Sequence, residues 1–165
     1  MNDGVMQKLL FTTDLSPECK KAFEYALKIS SALGSEILIL HVFEELSDSK
    51  DRIIEREIGL ERLQNIHSDK MEQARDVLIG KRKNYVSFND ESKASKNVLR
   101  ISERVISGKN TADQICETAK EEDCDLIIMA IHRRGKIEKI LGKNTINRVT
   151  EKSNIPILVF PLDYD

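Results

Sequence analysis

A basic, glycine-bearing segment is the part of the sequence whose residue types point most directly to chemistry. Between His132 and Lys143 one acid, Glu138, stands among five cations: Arg133, Arg134, Lys136, Lys139 and Lys143. Asn144 follows at the position expected of a helix N-cap, just before Thr145. A basic loop that leads into a helix can hold phosphate through backbone N–H groups and the helix dipole. The segment therefore predicts an anion site, with a solvated cluster of surface charges as the alternative.

A second polar segment, Thr12-Thr13-Asp14, ends the first predicted strand. In open parallel sheets, ligands bind beyond the carboxyl ends of the strands, where the strand order reverses. An aspartate at that edge can accept hydrogen bonds from a ribose or from a base. Its alternative role is to cap the helix predicted to follow from Ser16. The residues alone leave both roles open.

Alternating strands and helices must position these segments. Short apolar runs with little alternation predict strands covered on both faces, and apolar residues at helical spacing lie between them. The predicted strands are Lys8–Thr12, Glu36–Phe43, Val98–Ser107, Asp125–Ile131 and Pro156–Leu162. The predicted helices are Glu18–Leu33, a stretch from Ser47 to about Arg82 that Ser68-Asp69 could break, a helix opened by Gly108–Thr111, and Thr145–Ser153. Asn84–Lys96 is predicted to be a surface loop.

This order of elements predicts an α/β fold. Five strands alternating with four helices indicate an open five-stranded parallel sheet with helices on both faces. The length of 165 residues, with 40% hydrophobic and 33% charged residues, predicts a single domain over residues 1–165. A net charge of −2 predicts no binding to nucleic acid or to an anionic membrane surface. The absence of a long apolar run and of a signal-like N-terminus predicts a cytoplasmic location.

No group of residues supports covalent catalysis. The three cysteines lack adjacent histidines and metal-ligand spacing, and no P-loop, dinucleotide fingerprint or zinc motif is present. ATP hydrolysis would need a placed magnesium ion and a group that orients water. The acids nearest to the basic segment are Asp14 and Glu138. We therefore predict a binding protein with no catalytic residue and no metal site, and leave a weak ATPase activity open.

Five segments, taken in chain order, resemble those of one known family. They are Leu9–Ser16, Ala22–Ala26, Leu40–Val42, Asp125–Ala130 and Ser153–Val159. In this set the chain is similar to the universal stress protein family over nearly its whole length. The resemblance implies a Rossmann-like fold of the adenine-nucleotide alpha-hydrolase type. It also implies a homodimer in which the last strand, Ile157–Leu162, pairs with its symmetry mate.

The same resemblance implies that ATP or a related adenine nucleotide binds at the carboxyl edge of the sheet. The implied nucleotide-binding residues are Thr12, Thr13, Asp14, Val42, Met129, Ala130, Arg133, Lys143, Asn144 and Thr145. Thr13, Asp14 and Val42 would hold adenine and ribose, and Met129 and Ala130 would line the same cleft. The last four would face the phosphates.

The glycine motif of the ATP-binding members is degraded in this chain. The motif has glycine, two residues, glycine, nine residues, then glycine and a serine or threonine. Without gaps, these places fall at Ala130, Arg133, Lys143 and Asn144. Lys143 could replace lost backbone contacts by its charge, or could fill the site and abolish binding. The alternative function is therefore a nucleotide-free dimeric stress-response module that binds a protein partner.

Overall fold

Aliphatic strands form the centre of the molecule. The computed structural model describes residues 5–45, 48–90, 100–132 and 143–162, with backbone only for 48, 85–90, 132, 143 and 144. In these residues, the strands are β1 (Lys8–Thr12), β2 (Glu36–Glu44), β3 (Ile101–Gly108), β4 (Leu126–His132) and β5 (Ile157–Leu162). The helices are α1 (Cys19–Leu33), α2 (Asp48–Ile58), α3 (Leu60–Asp90), α4 (Thr111–Glu121) and α5 (Lys143–Lys152).

All five strands pair in parallel, in the order β3-β2-β1-β4-β5. The strand order reverses beside β1, which pairs with β2 on one side and with β4 on the other. Thr12 lies opposite Leu40 of β2, and Phe11 lies opposite Ile128 of β4. This arrangement confirms the predicted open parallel sheet, and it places the reversal at the end of β1.

Helices cover both faces of the sheet because the strand side chains alternate between two apolar clusters. Leu9 and Phe11 belong to the cluster that α1 and α3 cover, whereas Leu10 belongs to the cluster that α4 and α5 cover. Successive residues of a strand point to opposite faces, so a continuous apolar run fills both clusters. No helix in the described part of the chain is long and apolar enough to cross a membrane.

The long helical stretch differs from its prediction in two ways. The break falls at Gly59, whose φ of 84° ends α2, and not at Ser68-Asp69. Glycine adopts this left-handed backbone without steric cost, whereas the exposed Ser68-Asp69 pair interrupts nothing. Helix α3 then continues to Asp90, so the loop predicted from Asn84 is wrong over residues 84–90, and 91–96 lie outside the described residues. The polar composition of this segment predicts exposed side chains, but it does not determine whether the backbone is helix or loop.

The remaining boundaries agree to within a few residues. Helix α5 begins at Lys143, so Asn144 lies within its first turn and the predicted N-cap assignment is wrong. At α4, by contrast, Asn110 is the N-cap, and its side chain accepts hydrogen bonds from the backbone N–H groups of Ala112 and Asp113. Strand β3 starts at Ile101 and lies at one lateral edge of the sheet, with β5 at the other.

Candidate functional site

The end of β1 is fastened to both neighbouring strands. The Thr12 hydroxyl donates to the carbonyl of Ile128 on β4 at 3.4 Å, and the Thr13 N–H donates to the carbonyl of Leu40 on β2 at 2.9 Å. Both threonines are buried. These bonds fix the chain as it leaves the sheet and place Asp14 at the reversal of strand order.

Asp14 is half-buried and organises the turn that follows β1. Its Oδ1 accepts hydrogen bonds from the Ser16 N–H at 2.9 Å and from the Cys19 thiol at 3.0 Å. Burial alone would raise the pKa of this carboxyl, but the hydrogen bonds from Cys19 and Ser16 outweigh it, so the pKa lies below its ordinary value. Asp14 is therefore a carboxylate at neutral pH, able to accept a hydrogen bond from a sugar hydroxyl.

The helix-cap role considered for Asp14 is wrong in the form that the sequence suggested. Helix α1 begins at Cys19, and its N-cap residue, Glu18, makes no side-chain capping bond. Asp14 lies too far before the helix to occupy that position. It stabilises the turn instead, through the Ser16 N–H two residues ahead, as aspartates commonly do.

The turn contains a backbone conformation that a leucine rarely adopts. Leu15 has a φ of 67°, which costs an ordinary residue about 1–2 kcal/mol. Such a conformation persists only where the surrounding structure holds it. Lys81 of α3 supplies that hold, since its ammonium donates to the carbonyls of both Leu15 and Ser16. Sequence reasoning missed Lys81, because no spacing connects it with a turn so distant in the chain.

The other predicted residues on the strands have different environments. Val42 is half-buried and packs against the cluster that α4 and α5 cover. Met129 and Ala130 are 0% and 1% exposed, and their side chains belong to the two core clusters. The structure therefore brings Val42 to the same edge as Asp14. It leaves Met129 and Ala130 beneath that edge, with almost no exposed surface.

The N-terminus of α5 also lies at the carboxyl edge of the sheet. Helix α5 connects two parallel strands, so it must start beyond the carboxyl end of β4. Thr145 is half-buried in its first turn, and Ile146 and Val149 anchor the helix to the core. Arg133 and the rest of the predicted anion segment up to residue 142 lie outside the described residues. Of Lys143 and Asn144, only the helical backbone is described.

The cysteines are protonated at neutral pH. Burial raises the pKa of Cys19 to about 11, with a further contribution from its hydrogen bond to Asp14. Burial also raises the pKa of Cys124 to about 11, and it raises that of the half-buried Cys116. Since the thiolate is the reactive form, none of these side chains is an activated nucleophile. Within the described residues, no three His, Cys, Asp or Glu side chains are grouped closely enough to hold a metal ion.

Comparisons with known proteins agree with this architecture. The model described as "Universal stress protein family" matches residues 6–161. The universal stress protein MJ0577 of Methanocaldococcus jannaschii is 24% identical over 153 residues, which cover 93% of each chain. Its solved structure superposes with a TM-score of 0.71 at 20% identity, covering 98% of this chain and 99% of that one.

Two further solved structures share the fold and contain nucleotides. One is a universal stress protein in complex with cAMP, with a TM-score of 0.56, 17% identity, and coverage of 96% of this chain and 99% of that one. The other, from Archaeoglobus fulgidus, is in complex with dAMP, with a TM-score of 0.52, 16% identity, and coverage of 94% and 98%. The match to the family model extends from β1 into β5. This chain therefore belongs to the universal stress protein family.

Proposed function

We propose that this protein binds ATP or a related adenine nucleotide at the carboxyl edge of its sheet, and that the bound state regulates a partner without catalysis. The observation that carries the proposal is Asp14, a half-buried carboxylate held at the reversal of strand order. A cytoplasmic location belongs to the same proposal, because free thiols such as those of Cys19 and Cys124 persist in a reducing compartment.

The adenosine half of the site would be formed by Thr13, Asp14 and Val42. In the described residues, the hydrogen bonds of the Asp14 carboxylate fall on Oδ1, which leaves Oδ2 to accept a ribose hydroxyl. Val42 offers an apolar side chain at the same edge for a base. The cAMP and dAMP complexes of similar folds support an adenine nucleotide as the ligand class.

The phosphates would lie towards the N-terminus of α5. The backbone N–H groups of its first turn are directed at that edge of the sheet and favour an anion. Arg133, Lys143, Asn144 and Thr145 are the residues that we assign to this end, the first three from the sequence alone. Lys143 would supply by charge what the degraded glycine motif no longer supplies by close backbone approach.

Calorimetric titration with ATP and magnesium tests the proposal on protein stripped of ligand. We expect measurable binding, weakened about tenfold or more when Arg133 and Lys143 are both replaced by alanine, since each removes a charge-assisted contact. A double variant in which Arg100 and Lys120 are replaced by alanine is the matched control. It removes the same charge at the amino ends of the strands, far from the carboxyl edge. The proposal would be contradicted if millimolar ATP produced neither heat in the titration nor a shift in the unfolding temperature.

The alternative is a nucleotide-free module that acts through a protein partner. The observation in its favour is that none of the four motif places, from Ala130 to Asn144, carries the expected residue. The acid extract of freshly purified protein separates the two functions. Adenine nucleotide in that extract supports the binding function, whereas an empty extract combined with a silent titration supports the module.

We also propose that the protein is a homodimer that pairs through β5. In the described residues, β5 has β4 as its partner on one side and no strand on the other, and Val159 is 40% exposed. An apolar edge strand with unpaired backbone groups favours pairing with a second copy.

Placing a charge on this edge tests the dimer. Val159→Lys should convert a dimer into a monomer in sedimentation velocity at micromolar concentration, because a charged side chain on an edge strand opposes strand pairing. Val77→Lys is the control, since Val77 is 46% exposed on α3 and gains the same charge. A monomeric wild-type protein at every concentration would contradict the pairing.

A further inference from the structure

The turn of residues 13–16, which carries Asp14, receives hydrogen bonds from three different elements. His41 of β2 has its Nδ1 2.8 Å from the Thr13 carbonyl, and since a carbonyl can only accept, Nδ1 carries the proton. Cys19 of α1 donates to Asp14, and Lys81 of α3 donates to Leu15 and to Ser16, the latter at 3.0 Å. The turn is therefore braced from β2, α1 and α3.

Lys81 contributes a charged donor to this brace. Bonds from an ammonium are stronger than those between neutral groups, and one ammonium here joins two consecutive carbonyls. Leu15, whose carbonyl is one of the two, has the left-handed backbone that needs external support. Without the ammonium, the leucine would gain by returning to a negative φ, and Asp14, the preceding residue, would turn with it.

Lys81 acts from behind the turn and not from the ligand side. Together with Phe11, Thr13, Cys19 and Leu78, it lines a small cavity on the face that α1 and α3 cover. Val42, the proposed wall for the base, packs on the opposite face, against the cluster that α4 and α5 cover. Lys81 thus approaches the turn from the face opposite to the one on which Val42 packs.

We propose that Lys81 is a positioning residue, which holds the turn of residues 13–16 in the conformation that presents Asp14 to the nucleotide. Its effect on affinity rests on the proposed function, whereas its hold on the turn does not. Lys81 thereby links α3, a helix outside the proposed ligand contacts, to the geometry of the site.

Reactivity of Cys19 measures the hold on the turn without any nucleotide. Cys19 is 3% exposed and bonded to Asp14, so a loosened turn should speed its alkylation. In Lys81→Met we expect about a fivefold or greater rise in the rate of iodoacetamide labelling, followed by mass spectrometry of the Cys19 peptide. Arg82→Met is the control, because Arg82 is the next residue of α3 and pairs with Glu103 at 3.1 Å on β3.

Rescue and affinity separate positioning from general loss of stability. Lys81→Arg keeps a charged donor and should restore slow labelling. In calorimetry, Lys81→Met should weaken ATP binding about tenfold, while Lys81→Arg and Arg82→Met should stay within about twofold of the wild type.

The outcomes of these experiments distinguish the hold on the turn, the positioning of Asp14 and the proposed function. An unchanged Cys19 rate in Lys81→Met, or an equal rise in Arg82→Met, would overturn the hold on the turn whether or not nucleotide binds. A faster Cys19 rate with unchanged ATP affinity would overturn the positioning of Asp14. A wild-type protein that binds no ATP would overturn the proposed function. The labelling rates would still show whether Lys81 holds the turn of residues 13–16.

Discussion

Replacement of Asp14 by alanine is expected to weaken binding of an adenine nucleotide about a hundredfold, or about 2.7 kcal/mol. The change removes the carboxylate that would accept the ribose hydroxyl, and it also removes the acceptor of the Ser16 and Cys19 bonds. A hydrogen bond to a charged group contributes about 1.5–3 kcal/mol. Calorimetry with ATP and magnesium measures the loss.

Asp14→Asn separates the two causes, because its amide oxygen can still accept the bonds of the turn. We expect about a tenfold loss for this variant. Asp76→Ala, which removes an exposed acid from α3, should leave the affinity unchanged. If Asp14→Ala bound the nucleotide with wild-type affinity, the Asp14 carboxylate would not be part of the binding site.

The low pKa of Asp14 also fixes the direction of a pH effect. Because the folded pKa lies below the ordinary 3.8, the stability that the carboxylate contributes is present above that value and is lost as pH falls through the lowered folded value. Its charge is therefore constant across the neutral range. Any change in nucleotide affinity between pH 6 and pH 8 must then come from groups other than Asp14.

Replacement of Leu78 by alanine is expected to lower the free energy of unfolding by about 3 kcal/mol. Leu78 is 2% exposed and packs α3 onto the core cluster that contains Phe11 and Phe23. The change removes apolar contacts and enlarges the cavity that Leu78 already lines, and the surroundings collapse only partly to fill such a space. Urea denaturation followed by circular dichroism measures the loss.

The neighbouring Val77 provides the control for Leu78, since it is 46% exposed on the same helix. Val77→Ala should change the free energy of unfolding by less than about 0.5 kcal/mol. Equal losses in the two variants would contradict the packing of α3 on the sheet. The pair also tests the helical stretch whose internal break the sequence misplaced.

The sequence predicted the sheet because its signal is local. A continuous run of apolar residues, such as that of β2, is buried on both faces only in a sheet with helices on either side. The capping residues Asn110 and Gly34 define helix ends to within a few residues. The long helix was harder to predict, because a glycine within a helical pattern and a polar pair look equally disruptive in composition. Only the backbone conformation at Gly59 distinguishes them.

The candidate site was predictable where it depends on the ends of strands, and not where it depends on contacts between distant elements. Asp14 could be proposed from the sequence because it lies two residues after the end of β1. Lys81 and His41 could not, since their bonds to the turn depend on how α3 and β2 pack beside it. Met129 and Ala130 illustrate the converse case, because residues near a strand end can still have fully buried side chains.

The central place of β1 has a consequence for how the protein is made. Its partner β2 is synthesised soon after it, but the bond from Thr12 to Ile128 joins residues 116 positions apart. During synthesis β1 therefore gains its β2 partner early, whereas the residue of β4 that Thr12 contacts follows only 116 positions later. Contacts between residues so distant in sequence also slow folding. A nucleotide bound as we propose could thus assist only the last stage of folding, after β4 has been released.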